Sequence, residues 1–132
     1  MLLTPSLARV VRYQHLAQKW IFQIEEINAE LAAIQEQPTM DLFSQDRQIS
    51  YVYGRLVTLR EEMDGTEAPP TLENLHAIII EVVAKYLDAT LWTAKWSSEP
   101  KEENFTKAID SWRAASQQLQ QILANPWLQV GP

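Results

Sequence analysis

Few side chains in this chain could do chemistry, and their spacing can be examined one group at a time. There are two histidines and no cysteines, so thiolate zinc sites, disulfides and cysteine nucleophiles are excluded. Glu73 and His76 stand three apart in Glu73-Asn74-Leu75-His76, a spacing that puts a carboxylate and an imidazole on one helix face. A two-metal centre in a helical bundle needs a second such pair and two further carboxylates. The other histidine, His15, has Arg12 three residues before it, so the second pair is missing. Glu73 also falls where an acid is expected in the first turn of a helix.

Arg9 and His15 resemble the Arg-x(4–6)-His pattern of the HEPN ribonucleases, themselves helical bundles. That resemblance is two residues wide and implies RNA cleavage by this pair. Six residues on a helix set the two side chains about 120° apart. Glu25, Glu26 and Glu30, with Glu81 and Asp88, are possible Mg²⁺ ligands of the kind used by the all-helical MazG-type nucleotide pyrophosphohydrolases. The acid spacings of that family are not reproduced. Glu81 and Lys85 are instead spaced for a solvated i,i+4 pair. No glycine-rich phosphate loop occurs and no Ser-His-Asp arrangement can be assembled. The expectation is a protein that is not an enzyme, with no cofactor and no metal. A small metal-dependent hydrolase or HEPN-like ribonuclease is the rival.

The elements that would carry these residues are helices. With 46% hydrophobic and 21% charged residues, the 132-residue chain is long enough for one domain with a real core. Apolar residues recur by threes and fours. The first stripe runs Val10, Tyr13, Ala17, Trp20, Ile24, Ile27, Leu31, Ile34, and the second Ile49, Val52, Leu56, Leu59, Met63. The third is Leu72, Leu75, Ile79, Val82, Tyr86, Ala89, with Thr93 interrupting before Trp96; the fourth is Phe105, Ala108, Trp112, Ala115, Leu119, Ile122. The mean spacing of about 3.5 predicts an all-α, antiparallel up-down-up-down four-helix bundle with left-handed packing. The helices are expected at 5–36, 41–64, 71–97 and 100–125, with a tail over 126–132 that folds back on the bundle end. Expected N-caps are Thr4, Thr39 or Asp41, and Thr71, with Gly65 as a left-handed stop. The third helix is apolar over more than half its circumference, so it should have neighbours on two or three sides.

Net charge is −6, which opposes a nucleic-acid role. Residues 1–24 nevertheless carry Arg9, Arg12 and Lys19 without an acid, while 25–46 carry six acids without a base. This is the reverse of what the helix dipole prefers. A nucleic-acid-binding subunit using Arg9, Arg12, Lys19 and Trp20 is therefore a third reading. No apolar run reaches the roughly 20 residues of a membrane span. The start lacks a secretory pattern, so the expected address is the cytoplasm.

The misfits point to function. Val11 and Phe22 fall opposite the stripe of the first helix, with Leu7 and Ile21 at the margins. On the second helix Gly54 sits mid-helix, at a cost of about 1 kcal/mol relative to alanine, beside Arg47, Tyr51 and Thr58. Tyr and Arg are enriched at interfaces. Val11, Phe22, Arg47, Tyr51 and Gly54 are thus the expected interface of a protein-interaction module (a subunit, adaptor or assembly factor). Its partner is a protein or a second copy in a homodimer.

Overall fold

A computed structural model describes residues 5–36 and 41–128, and the side chains of residues 5, 6, 42 and 43 are left aside. Four helices pack on one another: α1 (Pro5–Glu36), α2 (Leu42–Asp64), α3 (Glu73–Ser98) and α4 (Glu102–Leu123). Single 3₁₀ turns at Pro70–Leu72 and Pro126–Leu128 complete the described chain, which contains no strand. The fold is all-α, as the three-four rhythm requires.

The helix ends follow local chemistry, with three corrections. Asp41 caps α2: its Oδ1 accepts the Ser44 backbone N–H at 2.9 Å. Thr4 and Thr39 lie outside the described residues. Thr71 does not cap α3, because Pro70 starts a 3₁₀ turn that carries Thr71 inside it and α3 begins at Glu73 without a side-chain cap. Gly65 is not left-handed either; at φ −85° and ψ 0° it continues a right-handed turn, its N–H reaching the Glu61 carbonyl at 3.1 Å. α4 ends at Leu123, two residues early, because the Asn125 N–H bonds Ile122 and Pro126 opens a new turn.

Burial follows the stripes closely. Tyr13, Ala17, Trp20, Ile24, Ile27, Leu31 and Ile34 on α1 are buried, as are all five stripe residues of α2. Ile21 joins them, so its position at the margin of α1 is a core position. α3 packs most extensively against α4 and then α2, which accounts for its broad apolar surface. Its stripe does not break at Thr93. Thr93 is fully buried, its hydroxyl donating to the Ala89 carbonyl at 2.8 Å, and the buried series continues to Ser97.

Polar contacts between helices fix how the chain is laid out. Along α1 and α3 the bonded residues ascend together: Tyr13 with His76, Asn28 with Tyr86, Gln35 with Thr93. Between α2 and α3 they run in opposite order, Gln45 with Ser97 and Met63 with His76. Between α1 and α4, Asn28 meets Trp112 and Gln35 meets Ala108. Of the expected tail, residues 126–128 fold back along α1, and 129–132 lie outside the described residues. Gln14 Nε2 donates to the Trp127 carbonyl at 2.9 Å and Gln18 Nε2 to that of Leu128, whose side chain is buried.

Candidate functional site

The outward faces of α1 and α2 carry the most exposed aromatic residues among the described ones. Phe22 lies opposite the α1 stripe and is 63% exposed; Tyr51, on the outer side of α2, is 61% exposed. Next to Phe22, Gln23 lines a shallow groove with Ser50, Tyr51, Gly54, Arg55 and Thr58. A second depression, formed by Ser44, Arg47, Gln48 and Tyr51, adjoins it. Tyr51 is the wall common to both.

Gly54 is the floor of the groove. A Cβ at this position would meet nothing within 4 Å, so no neighbour inside the chain requires a glycine here. Its helical cost is therefore not offset by internal packing. Arg55 closes the α1 side, with Nη1 3.0 Å from Glu30 and Nη2 3.1 Å from Glu26, and its guanidinium lies 5.8 Å from the Tyr51 ring centre. Four of the five expected interface residues (Phe22, Arg47, Tyr51, Gly54) are thus solvent-facing on neighbouring helices. Val11 departs from expectation and is half-buried. It shares its helix flank with Gln14 and Gln18, the residues that hold the chain end.

His76 and two of the acids are engaged within the chain, whereas Arg9 and His15 are exposed. His76 Nε2 lies 3.0 Å from the Met63 carbonyl and Nδ1 2.7 Å from the Tyr13 hydroxyl. A neutral ring with the proton on Nε2 donates to the carbonyl and accepts from the phenol. Burial pushes the Tyr13 phenol above its ordinary value, which keeps that O–H in place as donor. His76 therefore pins the end of α2 to α1 and α3, with neither nitrogen left over for a metal. Glu26 and Glu30 face Arg55 rather than each other's lone pairs. Among the described residues no group of three or more His, Asp or Glu is gathered as for a metal ion. Trp20 is fully buried, its ring edge-on to Tyr13 at 6.0 Å, so it cannot stack on a base. That removes the aromatic element from the nucleic-acid reading. Among the described residues no helix is long and apolar enough to cross a membrane.

Two features escaped the stripe analysis. Tyr53 (43% exposed) and Leu91 (55% exposed) line a small apolar groove between α2 and α3 with Ile49, Ser50, Thr90 and Ala94. One end of the bundle is also polar inside. Gln35, Gln45, Thr90, Thr93, Ser97 and Asn104 are all buried there. Gln35 Nε2 bonds Thr93 at 3.2 Å, Ser97 donates to Gln45 Oε1 at 2.7 Å, and Asn104 Nδ2 donates to the Glu99 carbonyl at 2.9 Å. The core is not uniformly apolar, contrary to the stripe reading. These contacts join the helix ends and satisfy one another, which is a structural role.

The comparisons with known proteins are negative: no family model, curated protein or solved structure matches the chain.

Proposed function

We propose that the chain is a non-enzymatic protein-interaction module, a subunit, adaptor or assembly factor, that engages a protein partner through the outward faces of α1 and α2. One observation carries the reading: Phe22 and Tyr51 are exposed on adjacent helices beside a groove floored by a glycine that the chain's own packing does not need. A mid-helix glycine with open space above it is what the close approach of another helix or loop uses. The aromatic walls supply large contact area with few rotatable bonds, and Arg47 adds a polar anchor at the rim.

Gly54→Gln tests this. A glutamine is a better helix former by about 0.5 kcal/mol, so the variant should melt slightly higher than the native chain. Its side chain occupies the groove, so recovery of the partner from the native cell should fall. A variant that is more stable and still recovers the same partner in the same yield refutes the groove as the docking point.

A further inference from the structure

The outer face of α1 has an internal symmetry. Val11, His15, Phe22, Ala29 and Ala33 follow one another at spacings of four, seven, seven and four, centred on Phe22. Seven residues bring a helix back to nearly the same direction, so these five form a second seam opposite the core stripe. His15, Phe22, Ala29 and Ala33 are exposed and Val11 is half-buried. Large residues precede the centre and alanines follow it.

The charges have the same centre with opposite sign. Before Phe22 stand Arg9, Arg12 and Lys19; after it stand Glu25, Glu26, Glu30 and Glu36. α1 accordingly has no acid in its first turn and no base in its last. Within the chain Arg55 answers Glu26 and Glu30, but the exposed Arg9, Arg12 and Lys19 stand at the unfavourable end of the helix dipole.

Resting on the interaction reading above, we infer that the occupant of the α1 face is a second copy of this chain, with the two α1 helices antiparallel about a twofold axis at Phe22. In that register Phe22 meets its own copy, Val11 lies on Ala33 and His15 on Ala29, large on small throughout. Lys19 faces Glu26 and Arg12 faces Glu30, on the flank where Arg55 already holds both acids, each pair occurring twice by symmetry. Parallel pairing would set base on base and acid on acid, which the charge pattern forbids. The basic start of each α1 then lies beside the acidic end of the other, and the unfavourable dipole arrangement is offset between chains. Gln14, which holds Trp127, lies about 80° round the helix from Phe22, and Gln18, which holds Leu128, about 40°, so the 126–128 turn borders the seam on one flank.

The test exploits the absence of cysteine. Phe22→Cys places a thiol on the axis, within disulfide reach of its copy, and should cross-link to itself on mild oxidation. His15→Cys and Ala29→Cys, which keep Phe22, should each form no disulfide alone and cross-link when mixed. Lys19→Glu should weaken self-association at least tenfold, and adding Glu26→Lys should restore it. Self-cross-linking of His15→Cys, or failure of both the Phe22→Cys chain and the mixture to cross-link, overturns the pairing. If cross-linking fails while partner recovery still depends on residue 54, the pairing alone falls and the interaction reading stands.

Discussion

Phe22→Asp should convert the chain to a monomer of 15.2 kDa at concentrations where the native protein is expected to sediment at about twice that mass. The expectation follows from where the ring sits. Phe22 is opposite the core and 63% exposed, so its replacement removes nothing from the interior. Surface changes of this kind alter the stability of the folded chain itself by roughly 0.5 kcal/mol or less, so the helical signal should be unaffected and the melting point should match that of the native chain at dilutions where it is monomeric. At the axis of a pair the effect is large. Two carboxylates would be brought together where two rings had packed, and truncating a central aromatic typically costs about 2 kcal/mol or more of association, roughly 30-fold in Kd. A monomeric variant with native melting behaviour fits; a variant of unchanged mass removes Phe22 from the interface.

Trp20→Ala gives the complementary result, on the same helix but the opposite face. Trp20 is fully buried between Tyr13 and the tilted ring of His76, 5.8 Å away. Deleting a buried indole costs about 3–5 kcal/mol, against a total stability of about 5–15 kcal/mol for a domain. The melting point should fall by about 10 °C or more. The native indole Nε1 has no hydrogen-bond partner, so the loss is one of packing and not of a polar contact. The nucleic-acid reading predicts the reverse: a Trp20 that stacked on bases would leave stability intact when removed. Calorimetry on the variant separates the two.

Much of the fold is legible in residue order because a bundle core is written in spacing. Trp20, Ile24 and Ile27 announce their burial by returning to one face. The polar end is not legible in the same way. Thr93 looks like a break in an apolar stripe, yet a threonine hydroxyl can return its hydrogen bond to the carbonyl four residues back and so enter a core at little cost. Gln35 and Ser97 become interior residues only because the helix ends bring their partners across, which no single-helix pattern contains. Val11 departs as well: it is half-buried, on the flank that also carries Gln14 and Gln18. Leu91 and Tyr53 look like core residues from composition, but both are exposed and line an open groove between α2 and α3. Of the outward residues, Phe22 and Tyr51 were readable because each contradicts the stripe of its own helix, and an exposed aromatic is visible as an exception.

The central claim, that the α1–α2 face is covered when the protein works, is tested most directly by hydroxyl-radical footprinting of the unaltered chain. Side-chain oxidation is compared between dilute purified protein and the native cell extract. Phe22 and Tyr51 should lose reactivity in the extract, while exposed Trp127 serves as a reference away from the groove. Equal oxidation of Phe22 and Tyr51 in both settings would contradict the account.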